Sequence, residues 1–341
     1  MKELQDRGVD YNFVFSGQHR STIQDIRKNF GIKEPDYILY SGNDITSIPK
    51  MALWSLRLLL QMLFFRRKIW KSDKTGIVLN HGDTLSTLLG SLGARMAGLK
   101  SAHVESGLRS FNFFNPFPEE LTRVCVFSLS NVYFAPGQWA LDNLNAHHGK
   151  KINTFENTLR DSLALADHHI ESRKIDIPSS TYGIASIHRF ENLSNEMNLN
   201  FIVEMIELAA LNSKILFILH SPTEKTLKKK GLLDRIEKNP NIELRPRYDY
   251  FDFNRLLRES SFVLTDGGSN QEECYYLGKP CLIMRKATER QEGIGKNAVL
   301  SNYSKNICLE FLENITKYKI HPSTSRESAT KIIIEQLTEY N

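Results

Sequence analysis

Short apolar, β-branched runs alternate along the chain with longer stretches whose apolar residues recur at helical spacing. The runs predict strands over Tyr11–Phe15, Tyr37–Tyr40, Gly76–Leu79, Ser101–Val104, Val132–Phe134, Tyr182–Ser186, Lys214–Leu219, Ile242–Arg245, Phe262–Thr265 and Cys281–Met284. Between them lie helical stretches such as Leu85–Ala97 and Leu199–Leu211. Strands that are apolar throughout, rather than alternating, suit parallel sheets covered by helices on both faces. The pattern predicts an α/β protein with doubly wound sheets. So many strands exceed one small sheet. A division falls after Pro136, the segment 160–178 reads as a helix plus linker, and a second strand–helix series starts at Tyr182. The expectation is two domains, 1–160 and 161–323, facing each other across a cleft, with a C-terminal helix over 324–341.

Composition narrows the classes. At 341 residues, with 41% hydrophobic and 24% charged, the chain is an ordinary globular protein long enough for two cores. Cys125, Cys274, Cys281 and Cys308 form no CxxC pair, which points to inert thiols in a reducing compartment rather than a disulfide or zinc framework. The net charge of +5 is spread out, and the densest cluster, Arg66-Arg67-Lys68 with Lys71 nearby, is short. Nucleic-acid binding wants a basic stripe with interleaved aromatics, so it is excluded. The apolar run Met51–Phe65 carries Arg57 and Gln61 and is too short to span a bilayer. It reads as a core helix, with a membrane-surface helix ending in the basic cluster as the lesser reading. Without a secretory signal, the expectation is a cytoplasmic protein with no stable membrane insertion.

Ligands of doubly wound folds lie outside the carboxyl ends of the strands. Several loops there carry chemistry: Asn80-His81-Gly82-Asp83-Thr84, Glu105-Ser106-Gly107-Leu108-Arg109, His188-Arg189, His220-Ser221-Pro222 and Asp266-Gly267-Gly268-Ser269. A single acidic residue at such a place is usually a helix cap, and Asp83 alone would read so. Five polar punctuations after strands are harder to dismiss. The Asp266–Ser269 turn opens a helix whose N-terminal N–H groups suit a phosphate, although neither GxxxxGKS nor GxGxxG is present. Glu273, about one turn on, suits a ribose diol and equally a plain surface glutamate.

Taken together, these segments resemble the non-hydrolysing UDP-N-acetylglucosamine 2-epimerases. The resemblance rests on three blocks. The first is His81-Gly82-Asp83-Thr84, then His103-Val104-Glu105-Ser106-Gly107-Leu108-Arg109, then Pro116-Phe117-Pro118-Glu119-Glu120 with Arg123. The second is His188-Arg189-Phe190-Glu191-Asn192. The third is Thr265 through Glu273, followed by Leu277-Gly278-Lys279-Pro280 and Thr288-Glu289-Arg290-Gln291-Glu292-Gly293. Ser16-Gly17-Gln18-His19-Arg20 is a weaker fourth.

The resemblance implies two Rossmann-like domains of the glycosyltransferase-B type, with UDP held mainly by the second. It implies interconversion of UDP-N-acetylglucosamine and UDP-N-acetylmannosamine, or of a related UDP-2-acetamido sugar, for surface polysaccharide precursors. Asp83, Glu105 and Glu119 fall on the family's catalytic carboxylates and His188 on its active-site histidine. Gly267, Gly268, Ser269, Glu273 and Arg290 fall on its UDP-binding positions. Arg109 and Arg123 are expected to neutralise the acidic cluster, and Arg123 and His220 to count among the residues that bind the UDP-sugar. Glu120, next to Glu119, could exchange roles with it. The route implied is elimination of UDP and its re-addition, which requires neither metal nor redox cofactor. Homodimers are common in the family, and the Met51–Phe65 helix is a candidate contact. Hydrolysing relatives lack the His103–Arg109 and Pro116–Glu120 patterns kept here.

Three departures stand out. The chain opens with Met1-Lys2-Glu3-Leu4-Gln5, which resembles the second half of the family's first helix. The first strand and its Gly-Thr-Arg-Pro-Glu turn are therefore expected to be missing, leaving edges exposed in the first sheet. A nucleotide-sugar-binding homologue without full activity is the alternative this raises. The usual Asp-Ser-Gly-Gly turn is Asp266-Gly267-Gly268-Ser269, and Gly-Asn-Thr is Glu156-Asn157-Thr158.

Overall fold

The computed structural model describes the chain except residues 19, 43, 44, 46, 47, 114, 115, 172, 324–326 and 339–341, so His19 of the fourth motif lies outside the described residues. The chain divides into two units. Unit 1 comprises Met1–Asp161 and Arg326–Asn341, and unit 2 comprises Ser162–Ser325.

Unit 1 begins with α1 (Lys2–Asp6), β1 (Val14–Phe15), α2 (Arg20–Phe30), β2 (Tyr37–Ile38), α3 (Ile48–Phe64) and α4 (Arg66–Ile69). It continues with β3 (Ile77–His81), α5 (Leu85–Ala97), β4 (Lys100–Val104), α6 (Glu119–Leu129), β5 (Val132–Ala135), α7 (Gln138–Asp142) and β6 (Lys150–Asn153). Among the described residues these strands form two parallel sheets, β1-β2 and β3-β4-β5-β6. The two-residue period of the strands divides side chains between the faces. Val132 and Phe134 pack with Ala102 and Ile333, whereas Tyr133 and Ala135 pack with Leu108 and Phe127.

The helix α8 (Thr158–Ile170) starts in unit 1 and runs into unit 2. Unit 2 follows with β7 (Tyr182–Ser186), α9 (Phe190–Leu193), α10 (Glu196–Ala209), β8 (Lys214–Leu219), α11 (Ser221–Lys229), α12 (Leu233–Glu237) and β9 (Ile242–Pro246). It closes with α13 (Tyr250–Glu259), β10 (Phe262–Thr265), α14 (Gly268–Tyr276), β11 (Cys281–Ile283), β12 (Ala298–Leu300) and α15 (Lys305–Glu313). The last helix, α16 (Ala329–Thr338), returns to unit 1, where Ile333 packs on the sheet. Unit 2's sheet is wholly parallel, in the order β12-β11-β10-β7-β8-β9. Ala185, Phe217 and Leu264 face one apolar layer, and Ile184, Leu216 and Val263 face the other. Strand order reverses between β7 and β10, which makes their carboxyl ends the topological switch point where such sheets bind ligands.

Two strands, β6 and β12, were not predicted. Each lies at a sheet edge, where one neighbour is enough and the apolar run of a central strand is not needed. Thus Lys150-Lys151-Ile152-Asn153 carries little strand signal. The reading of Met51–Phe65 as a core helix holds for one face of α3 only. Trp54, Leu58 and Met62 are buried, while Leu53, Leu56, Leu60, Leu63 and Phe64 are exposed. Among the described residues no helix is long and apolar enough to cross a membrane. All four cysteines are free thiols, and Cys125 is only partly buried.

Leu58 is fully buried in the unit 1 core. Leu58→Ala is expected to destabilise the protein by about 2–5 kcal/mol, lost transfer energy plus the cavity left behind. Urea unfolding followed by circular dichroism measures it, and an unchanged midpoint would contradict this packing.

Candidate active site

In unit 1 the loops after β3 and β4 are locked together by one histidine. His103 is fully buried; its Nε2 lies 2.8 Å from the Gly82 carbonyl and its Nδ1 3.0 Å from the Ser106 hydroxyl. A carbonyl only accepts, so Nε2 carries the proton and Nδ1 accepts from Ser106. Burial drives the His103 pKa down to about 4, which keeps the ring neutral. The loops it ties are unusual in backbone: Gly82 and Gly107 have φ +74° and +88°, and Glu105 has φ +66°. A Cβ on Gly107 would stand 1.9 Å from the Ala140 carbonyl oxygen, so only glycine fits.

These loops present the acidic residues. Asp83 is about one-third exposed and accepts from Arg123 Nη2. Arg123 is buried and also donates from Nη1 to Glu120 at 3.2 Å. Glu120 in turn accepts from Arg109 Nε at 2.5 Å and from the backbone N–H groups of Ser110 and Phe111. Burial pushes the Glu120 carboxyl up, but the Ser110 N–H and Arg109 outweigh it and hold it low. Glu120 is therefore the buried partner of Arg109 and Arg123. Glu119 opens α6 and is half-buried, one turn before Arg123 on the same helix. Glu105 places its Oε2 3.7 Å from His81 Nε2 and 3.3 Å from the position of a Cβ on Gly82, next to Asp83. Gly82 and Arg123 thus link Glu105, Asp83 and the helix that begins at Glu119.

In unit 2 the switch point is organised by Asp266, fully buried at the end of β10. Its carboxylate accepts from the backbone N–H groups of His188 at 3.0 Å and Arg189 at 3.0 Å, and from Asn192 Nδ2 at 2.9 Å. The loop after β7 is thereby bound to the turn after β10. Gly267 caps α14, and a Cβ there would lie 2.9 Å from His188 Cε1; one on Gly268 would lie 3.0 Å from Arg290 Nε. Both glycines leave the helix start open between the His188 and Arg290 side chains. Ser269, in the first turn, is exposed. The His188 and His220 rings lie 4.8 Å apart, and His220 Nε2 is 3.3 Å from Ser186 Oγ. Burial lowers both imidazoles, His220 to about 4. Arg290 is paired with buried Glu272, so its charge is shared between that carboxylate and the helix start. Glu273 is 3% exposed, accepts from Asn270 Nδ2 at 3.0 Å, and is raised by burial to about 7. The reading of Glu273 as a plain surface residue fails on this burial.

Unit 1 therefore sets Arg123 on Asp83, with Glu105 beside Gly82 and Glu119 at the start of the helix that carries Arg123, and unit 2 gathers His188, His220, Gly267, Gly268 and Arg290 at the start of α14, which also carries Ser269 and Glu273. Sequence reasoning overlooked the anchors beneath them. Asp266, Glu272 and Glu289 are buried carboxylates, and Glu289 pairs with Arg285 at 3.0 Å and Arg189 at 3.2 Å. They lay in the quoted motifs, but polarity along a chain does not separate an anchor from a ligand contact. Among the described residues no group of three or more His, Cys, Asp or Glu could hold a metal ion.

A parallel doubly wound sheet with a glycine-opened helix start at its switch point defines a class, the nucleotide-binding α/β proteins. The UDP-N-acetylglucosamine 2-epimerase family model matches residues 2–330. A UDP-N-acetylglucosamine 2-epimerase homolog from Methanococcus maripaludis is 35% identical over 268 residues, 76% of this chain and 72% of that protein. A UDP-N-acetylglucosamine 2-epimerase from Campylobacter jejuni is 32% identical, over 88% of this chain and 80% of its own. The crystal structure of the Methanocaldococcus jannaschii UDP-GlcNAc 2-epimerase in complex with UDP-GlcNAc and UDP superposes with a TM-score of 0.81. It is 27% identical and covers 98% of this chain and 94% of that one. The chain belongs to the UDP-N-acetylglucosamine 2-epimerase family.

His103 gives the site a pH signature. Its pKa is about 4 folded against 6.5 unfolded, so between those values the unfolded chain binds the extra proton. Stability from this group is complete above pH 6.5 and declines as pH falls toward 4, by on the order of 3 kcal/mol. Urea unfolding at pH 7.5 and pH 5 should show a smaller loss for His103→Gln than for the parent protein. Equal losses would mean that His103 takes up a proton in the fold.

Proposed function

We propose that this chain interconverts UDP-N-acetylglucosamine and UDP-N-acetylmannosamine without releasing the free sugar. The observation that carries the reading is the open helix start at Gly268, set between His188 and Arg290 at unit 2's switch point. It suits the diphosphate of a UDP-sugar, with Ser269 at the same helix start, His220 alongside, and Glu273 for the ribose diol. Neutral histidines donate hydrogen bonds to phosphate oxygens rather than full charge, which leaves backbone N–H groups and Arg290 to balance the diphosphate.

The carboxylates of unit 1 supply candidates for the proton chemistry. The C2–H bond is not next to a carbonyl, so direct abstraction is difficult. When the C1–O bond breaks as the proton leaves C2, the bonding pair of C2–H forms the C1=C2 double bond and UDP departs with its own pair. UDP then re-adds at C1 while a proton is delivered to the opposite face of C2. Two faces require two acid/base groups, drawn from Asp83, Glu105 and Glu119, with Arg123 keeping the cluster from repelling itself. Such a task places the protein in the cytoplasm, as supplier of activated amino sugars for surface polysaccharides.

Incubation with UDP-N-acetylglucosamine in heavy water is expected to place deuterium at C2 and yield the manno epimer, read by NMR. Asp83→Asn, Glu105→Gln and Glu119→Gln should each slow exchange by about 100-fold or more. UDP binding without exchange would leave only a nucleotide-sugar-binding role, and free N-acetylmannosamine would make the protein a hydrolysing enzyme.

The exposed stripe Leu53, Leu56, Leu60, Leu63 and Phe64 on α3 supports a homodimer as the working state, because an uncovered apolar helix face of this length marks an interaction surface. Light scattering after size exclusion should give a dimer, and Leu56→Asp with Leu60→Asp a folded monomer. A monomeric parent protein would end this reading.

A further inference from the structure

Glu105 is held more tightly than an acid/base residue at a loop requires. Its backbone lies in the left-handed region, and one carboxylate oxygen is claimed by a residue that plays no part in the reading above. Asn157 Nδ2 donates to Glu105 Oε1 at 2.5 Å, and Asn157 is only 3% exposed. The amide orientation is fixed from its other side, where Thr158 Oγ1 donates to Asn157 Oδ1 at 3.3 Å. A carboxylate oxygen cannot donate, so the amide nitrogen must face Glu105. Asn157 in turn is held at the start of α8 by the Arg160 N–H, which donates to its carbonyl at 3.1 Å. The other oxygen, Oε2, has a different setting. It faces the half-exposed His81 ring at 3.7 Å and the open side of Gly82.

We propose that Asn157 is a positioning residue that pins Oε1 of Glu105 and stabilises the ionised carboxylate. The inference rests on the reading of Glu105 as an acid/base group. A hydrogen bond donated to the charged form favours that form, and a donor locked by its own neighbours delivers this without reorganisation. Pinning one oxygen also halves the ways in which the carboxylate can meet the sugar. The titratable rings that face Glu105 from the neighbouring strands are His81 on β3 and His103 on β4, and the variants below leave both in place.

The test compares pH profiles of kcat/KM for UDP-N-acetylglucosamine, with UDP affinity as the control. Asn157→Ala removes the donor and should lower kcat/KM by roughly 10- to 100-fold, with UDP affinity within twofold of the parent. Asn157→Asp is nearly isosteric and sets a second carboxylate against the first. It should move the acid limb of the profile upward by about one pH unit or more. Asn157→Ser, which restores a donor of shorter reach, should recover part of the rate lost in the alanine variant. A profile whose acid limb stays put in Asn157→Asp, or parent-like kcat/KM in Asn157→Ala, overturns the proposal. Loss of UDP affinity in step with activity does so as well, since it marks general damage. Glu105→Gln run in parallel separates the two levels. If that variant keeps parental activity, the role of Glu105 itself is wrong; if it is inactive while the Asn157 variants behave as the parent, only the positioning role is wrong.

Discussion

The unit 1 site depends on the guanidinium of Arg123. It is buried between Asp83, which is about one-third exposed, and Glu120, which is wholly inside. Two carboxylates and a chain turn rich in positive φ would not persist together without it. A buried carboxylate deprived of its partner costs about 3–5 kcal/mol, and here one cation serves two. Arg109 takes the other side of Glu120, and the Ser110 and Phe111 N–H groups fill its remaining lone pairs. Because Glu120 is fully satisfied, α6 is fixed in register, and its first residue, Glu119, is set where the loop can use it.

Unit 2 solves the corresponding problem with one anion. Asp266 gathers the N–H groups at the end of β7 and the amide of Asn192. The amide's oxygen accepts in turn from the Tyr303 hydroxyl. This arrangement orients the His188 loop toward the start of α14 without placing a free charge at the mouth. In both units a buried ionic group fixes the loops at the strand ends. On the reading proposed above this suits a departing diphosphate, since preorganised dipoles stabilise charge without having to move when it develops.

Much of this was legible in the chain. Central strands such as Tyr182–Ser186, Lys214–Leu219 and Phe262–Thr265 coincide with the apolar runs, because a strand buried on both faces has no polar position to blur it. The helix Leu85–Ala97 coincides with a stretch of helical apolar spacing, and Thr84 and Gly98 cap it. The edge strands β6 and β12 were not legible, for the opposite reason. In the site, residues at strand ends could be read from position alone, but Glu120 and Glu119 are chemically identical neighbours. Only the turn of α6, which sends one inward to Arg109 and leaves the other half-buried, tells them apart. The partner of Glu105 was equally hidden. Asn157 lies 52 positions away, where the family's Gly-Asn-Thr is Glu156-Asn157-Thr158, and nothing in that pattern pointed to Glu105.

The protonation states complete the electrostatic picture. Burial keeps His103 and His220 neutral at pH 7, and it lowers His188 as well. The same burial lifts Glu273 to about 7, where carboxylate and acid are equally populated. On the reading proposed above, a ribose diol donating two hydrogen bonds would favour the carboxylate, so nucleotide binding and deprotonation of Glu273 would assist each other. The added negative charge would stand against Arg290, which already pairs with Glu272, so a diphosphate there would rest mainly on N–H dipoles at the helix start.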